Sequence, residues 1–245
     1  MKLLLTLLTL AVITSPARAK DDITKELITS NGKTRAYYLY VPPALKPGVQ
    51  APLIVVLHGS NRTGVTLVEK WRDLAKKEGI ILAGPDATDL RGWGSPQDGP
   101  DFLRDLVEEL KGKFHIDARR VYLFGHSAGA VFALEISLME SQYFAATAIH
   151  AGDLPKDSAN LIQMAKRKIP LSIQVGDSDE YFPVKNVRET KEALKAAGFP
   201  VELTEIPNHD HWYYDQAAKF NQTAWEFLKK VVLDAEPRYQ KYNWN

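Results

Sequence analysis

From residue 51 onward the chain alternates between short unbroken apolar runs and longer stretches in which apolar residues recur every three or four positions. The runs fall at 53–57, 80–83, 121–124, 145–149, 171–175 and 201–206. Unbroken runs, unlike alternating ones, suit strands covered on both faces, as in a parallel sheet. The periodic stretches predict helices over 65–78, 101–114, 131–140, 161–168, 184–197 and 212–233, with Gly79 and Gly198 where C-caps belong. Upstream, strands at 27–30 and 34–41 flank Asn31-Gly32, a pair favoured in two-residue hairpin turns, and Pro42-Pro43 closes the second. The expected fold is α/β: a doubly wound, mostly parallel sheet with helices on both faces and a leading antiparallel hairpin. Such sheets bind ligands at the carboxyl ends of their strands, so chemistry is sought at the strand tips.

Residues 1–19 break this pattern. Lys2 precedes an apolar run from Leu3 to Ile13, and Ala17-Arg18-Ala19 follows. A positive start, a short apolar segment and a small-residue cleavage site read as an export signal. The run falls short of the ~20 residues a spanning helix needs. The expected organisation is a signal peptide over 1–19 and one domain over 20–245, delivered to the periplasm or secreted. Losing 1–19 removes Lys2 and Arg18, so the formal charge moves from 31 − 30 = +1 to 29 − 30 = −1. Nucleic acid and anionic membrane both need a basic surface, so neither is expected as a partner. The chain has no cysteine, which excludes disulfides, thiolate metal sites and a cysteine nucleophile. It carries no P-loop and no G-x-G-x-x-G, and no cofactor is expected.

The third run leads into Gly125-His126-Ser127-Ala128-Gly129, a G-x-S-x-G directly before a helical pattern. In that context the motif marks a sharp strand-to-helix turn that exposes a serine hydroxyl above the sheet. A serine nucleophile needs a base, and its oxyanion needs donors. The first run ends in His58-Gly59-Ser60, a turn that in α/β hydrolases gives one backbone N–H to the oxyanion. The residue after the nucleophile gives the other. The donors are thus Ala128 and Ser60, with Asn61 as the alternative to Ser60. The run at 171–175 ends in Gly176-Asp177-Ser178-Asp179-Glu180, where spacing leaves Asp177 and Asp179 open as the acid. The last run is followed by His209 and His211, either of which could be the base. Serine, acid, histidine is the chain order of α/β hydrolases.

Together these segments resemble the α/β-hydrolase superfamily, and more closely the secreted esterases related to poly(3-hydroxybutyrate) depolymerases, feruloyl esterases and dienelactone hydrolases. The resemblance runs from about residue 37 to 228. It is carried by the His58-Gly59 turn, Asp101-Phe102-Leu103, Arg119-Arg120-Val121-Tyr122-Leu123 before the serine motif, and Gly-x-x-Asp-x-x-x-Pro from Gly176 to Pro183. It implies Asp179 as the acid. Asp210-His211-Trp212-Tyr213-Tyr214 matches the frame of S-formylglutathione hydrolases, with Trp212 in place of a small residue, and implies His211 as the base. The expected activity is a secreted carboxylic ester hydrolase acting through a Ser-His-Asp triad on a small-molecule or polysaccharide-linked ester. A prolyl-oligopeptidase-type peptidase would carry a large further domain, for which the length leaves no room. A binding protein built on an inactive hydrolase fold has no use for an intact triad.

Other residues carry weaker signals. A metal held by His209 and His211 would need a third ligand, with His150 and Asp153 at a neighbouring tip as candidates, and would leave Ser127 unexplained, so none is expected. Asp153 is also a remote candidate for the acid. His126 is expected to pack beside the nucleophile. Trp93, between glycines on a strand-tip loop, either lines a substrate cleft or anchors its loop. Trp212 is expected to wall the pocket.

Overall fold

A computed structural model describes residues 21–45, 48–242 and 244; the export signal expected over 1–19 lies outside the described residues. Eight strands form one sheet: β1 (Thr24–Ser30), β2 (Lys33–Tyr40), β3 (Ala51–Leu57), β4 (Ile81–Pro85), β5 (Ile116–His126), β6 (Thr147–His150), β7 (Leu171–Gly176) and β8 (Val201–Ile206). Their order is β1-β2-β4-β3-β5-β6-β7-β8. The pairs β1/β2 and β2/β4 are antiparallel, and every other pair is parallel. The β1–β2 turn places Asn31 and Gly32 at φ 49° and 73°, the left-handed pair that a two-residue hairpin demands.

Helices cover both faces: α1 (Gly64–Glu78), α2 (Pro100–Lys113), α3 (Ala128–Met139), α4 (Ala159–Met164), α5 (Val184–Ala196) and α6 (Ala217–Leu228). Strand β3 shows why its apolar run is unbroken. Leu53, Val55 and Leu57 enter the core under α2, α3 and α5, while Ile54 and Val56 enter the core under α1 and α6. Both faces of a central strand are removed from water, so neither set of alternate positions is free to be polar. Among the described residues no helix is long and apolar enough to cross a membrane.

Several boundaries depart from the pattern reading: β1 starts at Thr24, α4 ends at Met164 and α6 ends at Leu228, each short of or beyond the expected range, and three more have a visible cause. Helix α3 begins at Ala128, directly after the serine, not at residue 131. Helix α6 begins at Ala217, not at 212: the Asp210 carboxylate takes the Trp212 N–H at 2.8 Å, and residues 212–216 form a loop. Tyr213 is fully buried in that loop and bonds Asn221, which mimics helical periodicity without a helix. Strand β5 starts at Ile116, where Ala51 pairs with it across a register irregularity. The polar stretch after Ile116 hides the strand because Asp117 and Arg120 pair with each other at 2.7 Å.

The junction of β5 and α3 has no room for a side chain at either of its glycines. A Cβ on Gly125 would sit 2.2 Å from the Gly129 carbonyl oxygen, and one on Gly129 would sit 2.0 Å from that of Leu57. Both contacts are with backbone, which cannot rotate away. Gly129→Ala should therefore force α3 off β3 and cost about 3 kcal/mol or more. Chemical denaturation reads this directly, and an unchanged midpoint would refute the close approach.

Candidate active site

Ser127 occupies the turn between β5 and α3 at φ 58°, ψ −124°. A serine at such angles carries strain of about 1–3 kcal/mol, which persists only where neighbours over-determine it. Here they do. The Ser127 N–H donates to the His150 carbonyl at the tip of β6 (3.1 Å), and the Ser127 carbonyl accepts the Ala130 and Val131 amides. The glycines at 125 and 129 admit the turn.

Across the sheet, the Ser127 hydroxyl meets His211 Nε2 at 2.9 Å, and His211 Nδ1 meets Asp179 Oδ2 at 2.9 Å. His211 follows β8 and Asp179 follows β7. The other carboxylate oxygen, Oδ1, accepts the Tyr181 and Phe182 amides, both at 2.9 Å, so the acid is pinned on both sides. Burial pushes the Asp179 carboxyl up, but the His211 bond and the two amides outweigh it and hold the group below its ordinary value. The anion is therefore present to fix Nδ1–H on His211 and leave Nε2 facing the serine. Tyr181 and Phe182 flank the His211 ring at 4.7 and 5.7 Å between centroids.

The loop after β3 packs against the serine: a Cβ on Gly59 would lie 3.1 Å from Ser127 Cβ. Four bonds hold this loop. Trp93 Nε1–H donates to the His58 carbonyl (2.8 Å), and the Ala87 amide donates to His58 Nε2 (3.0 Å). The Ser60 hydroxyl donates to the Arg91 carbonyl (2.7 Å), and the Asn61 amide to that of Leu90 (2.6 Å). The Asn61 N–H is thus occupied. The Ser60 and Ala128 amides bond no acceptor among the described residues.

A cleft of about 610 Å³ opens over Ser127 and His211. Ser60, Arg62, Tyr181, Trp212 and Tyr214 wall it, with the carboxylates of Glu180 and Asp210 at the rim. Arg62 lies 5.4 Å from the Trp212 ring and 5.2 Å from that of Tyr214, and neither Arg62 nor Tyr181 stood out in the sequence. Their one signal is adjacency to a strand-tip motif.

The residues considered at each tip now separate. Asp177 is exposed and accepts the Ser178 hydroxyl, away from His211. Asp153 lines a different groove, between α4 and α5. Trp93 does not wall the cleft over Ser127, which corrects its reading as a substrate-lining residue. Its ring stacks on Phe132 (5.2 Å, 12°) and its N–H is spent on His58, so it anchors the loop after β3. His209 and His211 face different partners: His209 Nε2 meets His150 Nε2 at 3.1 Å, and His211 meets the serine. Among the described residues no three histidine, aspartate or glutamate side chains are grouped to hold a metal ion.

The profile of the dienelactone hydrolase family matches residues 85–234, which include Ser127, Asp179 and His211. The chain belongs to that family. Ser60 and the rest of the loop after β3 lie before the part matched to dienelactone hydrolases. Over 185 residues, 69% of this chain and 52% of its counterpart, the sequence is 34% identical to NocK of Nocardia uniformis subsp. tsuyamanensis, an assigned esterase. It is 26% identical over 174 residues to the bifunctional acetylxylan esterase/xylanase XynS20E of Neocallimastix patriciarum, covering 67% of this chain and 24% of that one. The chain thus spans about half the length, or less, of these two relatives. A solved ferulic acid esterase superposes with a TM-score of 0.68 at 18% identity, covering 85% of this chain and 97% of the other, and shares the α/β-hydrolase fold.

Proposed function

We propose that this member of the dienelactone hydrolase family is an exported serine hydrolase that cleaves carboxylic esters through an acyl-enzyme. The observation that carries the reading is the unbroken hydrogen-bonded line from Asp179 through His211 to the Ser127 hydroxyl, ending in an open cleft. Ser127 Oγ attacks the ester carbonyl while His211 Nε2 takes its proton. Asp179 keeps the imidazole in the required tautomer and stabilises the imidazolium that forms. The Ser60 and Ala128 amides donate to the oxyanion, a contribution of about 10²–10³ in kcat per donor. His211 then protonates the leaving alcohol, and a water hydrolyses the acyl-enzyme by the same route.

The substrate is a small-molecule ester or an ester borne on a polysaccharide. The aromatic walls Trp212, Tyr214 and Tyr181 offer flat faces to a ring on either side of the scissile bond. The names of XynS20E and of the ferulic acid esterase point to esters of that kind. The segment pattern of residues 1–19 supports export.

The test is a panel of p-nitrophenyl esters of varied acyl length together with feruloyl esters, and labelling by a fluorophosphonate. A protein inert to every ester and to the probe would sink the reading. Within it, His211→Ala should lower kcat by about 10⁵-fold, while His209→Ala keeps roughly a hundredth to a tenth of the rate. The reverse ranking would move the base two residues along the chain.

A further inference from the structure

Four of the six histidines are buried, and the reaction above uses none of them. His58 holds the loop after β3; the other three lie together under the site: His126, His150 and His209, exposed by 3%, 0% and 4%. They form a string. His126 Nδ1 meets His150 Nδ1 at 3.2 Å, and His150 Nε2 meets His209 Nε2 at 3.1 Å. Phe220 of α6 lies against the His150 and His209 rings at 4.6 and 4.7 Å between centroids. The two bonds leave from opposite nitrogens of His150, so the rings do not converge on a common point where an ion could sit.

Counting protons assigns a direction. A neutral imidazole has one N–H and one acceptor nitrogen, so His150, bonded through both, donates once and accepts once. His126 Nδ1 also lies 3.3 Å from the His150 carbonyl, which can only accept. Nδ1–H on His126 serves both contacts, and the string then runs from His126 to His150 to His209. The His209 Nδ1–H is left facing Gln216 at 3.5 Å, and the Gln216 side-chain amide must turn its oxygen, not its NH₂, toward the ring to accept it.

Each member is tied to the triad through its own backbone. His126 precedes Ser127, and its ring lies 5.1 Å from that of His211. The His150 carbonyl holds the Ser127 amide at 3.1 Å, and the His209 carbonyl holds the Ser178 amide of the acid-bearing loop at 3.0 Å. Ser127 follows β5 and His211 follows β8, which is three strands away in the sheet. Ladder hydrogen bonds couple those tips only through β6 and β7.

We propose that His126, His150 and His209 are positioning residues for ester cleavage: an imidazole string that ties the tips of β5, β6 and β8 together and so holds Ser127 and His211 in bonding register. The proposal rests on the serine-hydrolase reading above. Displacing reacting groups by about 1 Å costs on the order of 10² in rate, and the string opposes that displacement.

The experiment compares His150→Leu, which removes both ring nitrogens, with His150→Gln, which restores one donor and one acceptor. His150→Leu should lower kcat on a p-nitrophenyl ester, and the rate of fluorophosphonate labelling, by about 10–100-fold. KM should change little, and His150→Gln should recover most of the loss. A wild-type rate for His150→Leu, or equal loss in both variants, overturns the proposal. Nitrogen-15 NMR of the histidine rings in the unmutated protein decides the string without any variant that could misfold. Neutral rings with Nδ1–H on His126 and Nε2–H on His150 are expected at pH 6, and any other tautomer pair or a charged ring overturns it. A wild-type protein inert to the fluorophosphonate would sink the serine-hydrolase reading instead, while the ring tautomers would still report on the string.

Discussion

Ser127→Ala should lower ester turnover by about 10⁶-fold in kcat and abolish fluorophosphonate labelling, because the triad acts as a unit. The other serines lining the cleft cannot take over. The Ser60 hydroxyl is committed to the Arg91 carbonyl at 2.7 Å, and that of Ser178 to Asp177 at 2.9 Å. A residual acceleration of about 10³–10⁴ over water should survive from the oxyanion donors and substrate binding. The fold should hardly notice. Alanine tolerates φ 58° no better and no worse than serine, and the amide bond to the His150 carbonyl does not involve the side chain. Melting should therefore stay close to wild type while activity collapses. Near-normal turnover by this variant would remove Ser127 from the chemistry.

The second large effect is on stability in acid. Burial holds His126 down to about 3, and holds His150 and His209 below the ordinary imidazole value. All three are neutral in the fold at neutral pH. The unfolded chain titrates its imidazoles near 6.5, so below that pH it binds protons that the fold refuses. Stability from the neutral rings is complete above about pH 6.5 and is lost as pH falls below it, a loss that for His126 continues toward about 3 at up to ~1.4 kcal/mol per pH unit. One group opposes this. Burial raises the Glu140 carboxyl to about 7, so between its ordinary value and 7 the fold holds a proton that the unfolded chain has lost. Glu135 and Asp153 are raised by burial too and act in the same sense. His58 is held below the ordinary imidazole value by burial as well, and four depressed rings against one strongly shifted carboxyl make stability fall overall as the pH drops below about 6.5. The thermal unfolding midpoint should accordingly be lower at pH 5 than at pH 7. A midpoint that is flat or rises over that interval would contradict the neutral, buried state of the rings.

Some of this was legible one residue at a time. The serine turn is a local device: five consecutive residues supply the strained angle and the room for it, so the motif can be read without knowing what lies across the sheet. The strands were legible because central strands lose both faces to water, as Leu53 to Leu57 do. The helix expected from residue 212 was misread because Tyr213 is buried by tertiary packing, and burial is the quantity that periodicity stands for. The role of Trp93 was open because a glycine-flanked loop reads alike whether its tryptophan faces a ligand or, as here, hydrogen-bonds the His58 carbonyl.

By itself, then, the sequence determined the sheet class, the leading hairpin, the absence of thiol chemistry and which strand tips carry polar side chains. The choice within each tip belonged to the tertiary structure. Asp179 and not Asp177 reaches His211, because Asp179 turns inward onto the Tyr181 and Phe182 amides. After β8, Asn208 takes φ 54°, His209 turns down onto His150, and His211 comes over the serine. The partners in these bonds stand 32, 59 and 84 residues apart in the chain. Local propensity acts over a few residues. Which rings meet at such separations is set by where the packed sheet and helices leave each strand tip.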